Sequence, residues 1–442
     1  MNQSENKILP ARWFQLPDNV LNHPEQTRFK NDFVTDKRNK TFVIAAGRRS
    51  FKTERAKRLL ISECINNAEH IYYAGAPTRI QAKEIFWKDL KALTPKWLLN
   101  RQPSESELKI FFRNGTELRV VGLQEFRRVQ GGRCNGFVFS EFQDCSPEAY
   151  TETVQPMLND TAGWVLKEGR PFGKNHFYDD FLKGLLKEDN YYSYHWKSED
   201  VLSAEQIILA KSQLAEQDYQ REYEASFETA SARAYYAYSE LNNISYEYNP
   251  DIPVIVACDF NATEKPMSWI VGQRIKKNNN DITIWLKSLS FQYTNTSTMC
   301  EILEEYLKSI NSNFSGIYFY GDYAGNHKTS NSSLSDWEII EKYFTNKTKI
   351  EKYLKPCLSI RNSISSTNAQ LCNSLGKRNQ FVVASGCKEL IKDWEYCSFK
   401  LNSRELDDKN NLLTHCCRAV DYYNYYEHPT QTKIETKISK VI

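Results

Sequence analysis

The stretch that most constrains this fold is residues 41–58, TFVIAAGRRSFKTERAKR. Thr41 to Ile44 are apolar or β-branched and read as a short buried strand. A turn over Ala45–Ser50 follows, then a basic run suited to a helix start. Lys52–Thr53 at such a strand-to-helix turn is the ending of a phosphate-binding loop. The chemistry asks for this arrangement: amides at a helix N-terminus face the anion, a lysine reaches the β- and γ-phosphates, and a hydroxyl holds Mg²⁺. Gly47, Arg48, Arg49, Ser50, Lys52 and Thr53 are therefore candidate ATP-binding residues, with Thr53 also a candidate magnesium ligand. Ala46 and Phe51 stand where the motif asks for glycine, so by pattern alone the stretch also fits a basic helix start after a strand.

Strands and helices alternate beyond the loop. Residues 54–68 have helical periodicity, 70–78 read as a strand and Arg79–Leu93 as a helix, and strand-like segments recur at Leu108–Phe112 and Glu117–Val121. This alternation predicts a mostly parallel, doubly wound sheet flanked by helices. Gly136–Phe139 is a further apolar strand that ends in Ser140–Glu141. In phosphate-loop ATPases two acids follow such a strand, the first for Mg²⁺ and the second to polarise the attacking water. Ser140 takes the first position, which leaves Mg²⁺ to Thr53 and the serine hydroxyl; Glu141 is the candidate catalytic base. LQEFRRVQGGRC just before it makes Arg128, then Arg127, the candidate charge-stabilising arginine, although a solvated basic loop fits too. The polar loop in GWVLKEGRPFGKNHFYDDF, residues 163–181, falls at the same sheet edge, where it could sense nucleotide state. Upstream, Gln26 could read an adenine edge through paired hydrogen bonds or be an exposed helix residue.

At 442 residues the chain is long enough for two or three domains. Its net charge of +3 does not announce nucleic-acid binding; local clusters at Arg48–Arg58 and Arg127–Arg133 matter more. The 11 cysteines include no CxxC pair, so reduced thiols and no structural zinc are expected. Without an apolar leader or a long apolar run, a soluble intracellular protein is expected. Residues from about 182 to 230 read as polar and helical, and composition shifts over 229–250. The expected organisation is a first domain at 1–230, a linker at 231–250 and a second domain at 251–442.

In the second half, IPVIVACD is an apolar strand ending in Asp259, followed by strands at Trp269–Gly272 and DITIWLKSLSF. A helix over Ser297–Ser309 precedes GIYFYGD, a strand with Asp322 at its end. Two acids at the ends of adjacent core strands can hold two Mg²⁺ or Mn²⁺ ions about 4 Å apart for phosphodiester hydrolysis. Strand-end aspartates are also common turn formers. Lys328, Arg361, Lys377 and Arg378 fit a track for a DNA backbone or ordinary solvated charge.

AAGRRSFKTERAKR, FVFSEFQDCSPEAYTETVQPML and GWVLKEGRPFGKNHFYD resemble the ATPase half of phage terminase large subunits, the DNA-packaging motors of tailed viruses. GDYAGNHKTSNSSLSDWEIIEKYF, NSISSTNAQLCNSLGKRNQFVVASGCKELIKDWEY and LDDKNNLLTHCCRAVDYYNYY are similar to the nuclease half. The resemblance runs from about His23 to Tyr426. It implies an α/β architecture: an N-terminal phosphate-loop ATPase domain and a C-terminal ribonuclease-H-like nuclease domain with a mixed sheet. It further implies ATP, Mg²⁺ or, for cleavage, Mn²⁺, and action on double-stranded DNA in the host cytoplasm. Implied partners are a portal protein, a small terminase subunit, a procapsid and further copies of the chain in a five-membered ring. Two positions depart from the family. Arg170 stands where a Thr normally precedes the Pro of the coupling motif. Arg418 stands where the third metal-binding acid follows a Thr-His pair. Asp421, one helical turn on, is the expected substitute beside Asp259 and Asp322, with Asp393, Asp407 and Asp408 as rivals. His415 either touches the scissile phosphate or packs.

Two other functions remain open at this point. A helicase–nuclease of repair or recombination would carry a second ATPase core, whose motifs residues 250–442 do not show. A non-catalytic DNA-binding assembly factor would explain Phe51, Ser140, Arg170 and Arg418, but not the retention of Lys52, Glu141, Asp259 and Asp322.

Overall fold

A computed structural model of the chain describes residues 23–227, 233–261, 264–277, 280–310, 316–326, 334–355, 359–400, 405–407, 410 and 412–429. They divide into two compact α/β units, Met1–Ile207 with Gln220–Thr229 and Ile208–Tyr219 with Ala230–Ile442.

The first unit is built on strands β1 (Thr41–Ala46), β2 (Ile71–Ala76), β3 (Lys109–Phe111), β4 (Glu117–Gly122), β5 (Gly136–Ser140), β6 (Trp164–Gly169) and β7 (Tyr191–Trp196). Their order is β3-β4-β2-β5-β6-β1-β7, parallel throughout except for β3 against β4. β1 lies between β6 and β7 and is buried along its whole length, which is why it reads as an unbroken apolar run. Its side chains still alternate. Phe42, Ile44 and Ala46 join Phe29, Phe33, Leu60 and Trp164 on one face, and Val43 and Ala45 join Phe137, Phe139, Phe177 and Phe181 on the other. The expected helix over Arg79–Leu93 forms with one wide turn at Lys83–Trp87. Residues 191–196, expected to be helical, are instead the strand β7. Tyr191, Tyr192 and His195 are half-buried and Ser193, Tyr194 and Trp196 buried, as suits a strand at the sheet edge.

The second unit holds β8 (Val254–Asp259), β9 (Met267–Lys277), β10 (Asn280–Phe291), β11 (Ile317–Asp322), β12 (Ile350–Lys355) and β13 (Gln380–Val382). Their order is β12-β11-β8-β9-β10-β13. β8, β9 and β10 form an antiparallel meander, β11 and β12 add in parallel beside β8, and β13 runs parallel to β10. On one face Ile255, Ala257, Trp285 and Tyr320 pack with Cys417, Val420 and Tyr423 of the helix His415–Glu427. On the other, Val254, Val256, Cys258 and Phe319 pack with Leu303 of the helix Thr296–Ser309 and Trp337 of the helix Asp336–Phe344. Ala234, Tyr235 and Tyr238, in the stretch expected to be a linker, belong to the first of these cores. Among the described residues no helix is long and apolar enough to cross a membrane.

Candidate active sites

In the first unit the chain leaves β1 at Gly47 and enters the helix Lys52–Asn66 after a tight loop. Phe51, at the position that favours glycine, adopts a left-handed backbone with φ 64°, and Arg49 does so with φ 59°. A side chain in that region costs roughly 1–2 kcal/mol, so the loop holds two non-glycine residues in a strained backbone. Its surroundings enforce it. Ser50 Oγ donates to the Gly47 carbonyl at 2.6 Å, and the Trp196 indole and the Gln26 amide both donate to the Ser50 carbonyl, at 3.2 and 3.4 Å. The Gly47 amide donates to Trp196 and the Arg48 amide to Glu222. A Cβ on Gly47 would lie 2.3 Å from both Ser198 Oγ and the Tyr223 carbonyl, so this one glycine is required by close approach.

Lys52 is buried, and its Nζ reaches the Gly47 carbonyl at 3.4 Å. Burial lowers its pKa, against the opposing pull of Glu168 and Glu141. Glu141, at the end of β5, has a left-handed backbone with φ 54°, the kind of local strain that functional sites retain. Its Oε2 accepts from Gln143 at 2.6 Å and from Arg170 Nη2 at 3.2 Å. Burial would raise its carboxyl, but Arg170 and Lys52 outweigh it and hold the pKa at about 2. Arg170 also pairs with Glu222, whose Oε2 takes Arg48 Nε at 2.8 Å. Arg48, Arg170, Glu222 and the expected base Glu141 thus form one charged cluster.

The sequence did not single out Glu168 of β6. It is fully buried and accepts from the Thr53 hydroxyl at 2.8 Å and the Ser140 hydroxyl at 2.6 Å, both on Oε1. Two expected residues take other positions. Gln26 is buried, with its amide on Ser50 and its carbonyl accepting from Arg55 Nε at 2.8 Å, so both ends of its amide group brace the loop and the helix behind it rather than face a base. Arg128 lies on an exposed turn, its side chain 82% accessible and paired with Glu125, while Arg127 pairs with Glu152. The structure brings Arg170, and not Arg128, to Glu141. Thr53 and the hydroxyl of Ser140 offer oxygen donors that, with the buried carboxylate between them, fit Mg²⁺.

In the second unit β8 and β11 are parallel neighbours, with Gly321 in register with Cys258. Asp259 and Asp322 therefore leave the sheet side by side. Asp259 Oδ2 accepts from Asn261 Nδ2 at 2.8 Å and faces His415 Nδ1 at 2.9 Å. Tyr422 OH approaches Asp322 Oδ2 at 3.5 Å, and burial, with both aspartates nearby, pushes its hydroxyl pKa up. Paired carboxylates with an adjacent amide suit a hard divalent cation.

Asp421 does not join them through any contact among the described residues. It is fully buried, with Oδ1 accepting from Thr367 at 2.7 Å and Oδ2 from Tyr235 at 2.9 Å and Arg418 at 3.1 Å. Burial raises its carboxyl to about 6. Asp421, the expected substitute for an acid at position 418, lies on the side of the helix that packs against Tyr235 and Thr367, and Arg418 pairs with it and with Ser363, while His415 and Tyr422 of the same helix approach Asp259 and Asp322. Arg418 lies over the Tyr422 ring, 4.9 Å from its centroid. Among the rivals, Asp393 caps the helix His415–Glu427 by accepting from the amides of Cys416 and Cys417. Asp407 sits beside the short bridge between Phe399 and Leu406, its amide donating to the Ser398 carbonyl at 2.8 Å. Asp408 and Lys328 lie outside the described residues. Asp393, Cys397 and Cys417 form a separate buried group of ligand-type atoms within 4.8 Å of one another.

No protein-family model matches the chain, and no curated protein matches it by sequence. Its fold matches solved structures. The large terminase of a thermophilic bacteriophage aligns with 91% of this chain and 97% of its own at 15% identity, TM-score 0.60. The same protein in complex with ATP-gamma-S aligns over 91% and 98% at 16% identity, TM-score 0.61, and its ADP complex over 91% and 98% at 15%, TM-score 0.60. The two units together therefore have the fold of a phage large terminase.

Proposed function

We propose that this chain is a large terminase subunit, which couples ATP hydrolysis to translocation of double-stranded viral DNA and cuts concatemeric DNA with a metal-dependent endonuclease. The observation that carries the reading is one chain of this fold holding both an equipped phosphate loop and a strand-end carboxylate pair. Residues 1–230 would be the motor domain and 251–442 the nuclease domain. The loop amides and Lys52 bind the β- and γ-phosphates; the nucleotide complexes of the thermophilic phage's terminase support this role. Glu141, ionised at neutral pH, orients the attacking water. Arg170 is the guanidinium placed to balance phosphate charge in its own unit. Bound Mg²⁺ would neutralise phosphate charge at the first site, and Mg²⁺ or Mn²⁺ would activate water at the second. Asp259 and Asp322 hold the cleavage metals, with Asn261 and His415 fixing Asp259. Portal, small subunit, procapsid and a ring of copies are the partners this role requires.

The test is ATP hydrolysis by the purified chain with and without linear double-stranded DNA. Wild type is expected to hydrolyse ATP and Lys52→Ala to lose about 100-fold or more; a wild type without hydrolysis would contradict the motor reading. A second reading, a motor whose nuclease has decayed, is favoured by Arg418 in place of an acid and by the enclosed Asp421. Absence of plasmid cleavage with both Mg²⁺ and Mn²⁺ would select it. The antiparallel meander of β8, β9 and β10 at the centre of the second unit's sheet does not suit the second ATPase core of a helicase.

A further inference from the structure

Ser140 leaves the phosphate site without the first of its two usual acids. We infer that Glu168 on the adjacent strand supplies that carboxylate and, with Thr53, holds the nucleotide's Mg²⁺. The inference rests on the motor reading above. β6 lies between β1 and β5, and Glu168 is in register with Ser140 on one side and with Ile44 on the other. The carboxylate therefore stands between the strand that launches the phosphate loop and the strand that ends in Glu141.

Three observations give this site its content. Glu168 is fully buried in a strand of otherwise buried residues, where an acid is costly unless something compensates it. Its Oε1 takes both available hydroxyls, those of Thr53 and Ser140. Its Oε2 is buried with no hydrogen-bond partner among the described residues. A buried carboxylate oxygen without a partner, beside the loop threonine, is half of a cation site. Burial pushes the Glu168 carboxyl up; Lys52 is the nearby positive charge that opposes this, but it is the group a nucleotide phosphate would claim. A divalent cation would satisfy Oε2 at the moment that Lys52 turns to the phosphates. Ser140 is then a hydrogen-bonding support for the acid that has moved one strand over.

The probe is Mn²⁺ in the presence of ATP-gamma-S, with free Mn²⁺ read by electron paramagnetic resonance and nucleotide binding read separately in EDTA with a fluorescent analogue. Glu168→Gln keeps the side chain's shape and a carbonyl that accepts from both hydroxyls, so a purely structural role leaves Mn²⁺ affinity where it was. Metal holding predicts a loss of about 10- to 100-fold. The double variant Ser140→Asp with Glu168→Gln returns the acid to β5 and should regain most of the affinity. Wild-type Mn²⁺ affinity in Glu168→Gln overturns the assignment, as does a double variant no better than the single one. If Glu168→Gln does not fold, Glu168→Asp, which keeps the charge one methylene short, should bind Mn²⁺ measurably more weakly than wild type; equal affinity overturns the assignment. A wild type that binds no nucleotide overturns the motor reading itself, a result distinct from the others.

Discussion

Asp259 and Asp421 carry the same carboxylate into opposite surroundings. Asp259 is partly open at a strand end, while Asp421 is enclosed by Tyr235, Thr367 and Arg418. Asp259→Asn should therefore abolish metal-dependent cleavage with little change in thermal stability. Asp421→Ala should leave Arg418 and Tyr235 without their buried partner and cost about 3 kcal/mol, read as a fall in Tm, with cleavage per folded molecule kept within a few-fold. Glu141 gives a pH prediction. Its folded pKa is depressed from 4.5 to about 2, so its contribution is present above pH 4.5 and is lost as pH falls through 2. Allowing for its partial exposure, that contribution is on the order of 2 kcal/mol. The stability gap between wild type and Glu141→Gln, measured by denaturant unfolding, should be widest near pH 7 and narrow steadily below pH 4.5.

At the scale of elements, the phosphate loop is held from outside as much as from within. Gly47→Ala would drive a methyl into the Tyr223 carbonyl, a backbone atom that cannot rotate away. The expected result is a Tm several degrees lower and nucleotide binding weakened together, whereas Ala46→Gly, which removes a buried methyl without a clash, should retain binding. The strand-loop-helix unit was legible in sequence because its signals are local: an apolar run, a turn, then Lys52–Thr53. Asp259 and Asp322 were legible for the same reason, as acids closing apolar strands. Glu168 was not, because its partners lie 115 and 28 residues away and only the strand order brings them together. Its one sequence signal was an acid that follows Lys167 near the end of a strand opened by the apolar run Trp164–Leu166. Tyr422 was missed by one residue on a helix, a rotation of about 100°. β7 was missed because its aromatic-rich run was read as part of a polar helical stretch.

At the scale of the molecule, the proposed function assigns chemistry of different kinds to the two units of one chain. Ligand binding stabilises the unit that binds, by about 2.7 kcal/mol at 100-fold excess over Kd. ATP-gamma-S with Mg²⁺ should raise the unfolding temperature of wild type and of Asp259→Asn equally, and should not raise that of Lys52→Ala. The central claim is that one polypeptide holds a motor site and a separate cleavage site. The most direct measurement follows both activities in the same preparations: ATP hydrolysis with linear DNA, and Mn²⁺-dependent nicking of supercoiled plasmid. Lys52→Ala should lose hydrolysis and keep nicking, and Asp259→Asn should lose nicking and keep hydrolysis. Loss of both activities in either variant, or a wild type with neither, would contradict the account.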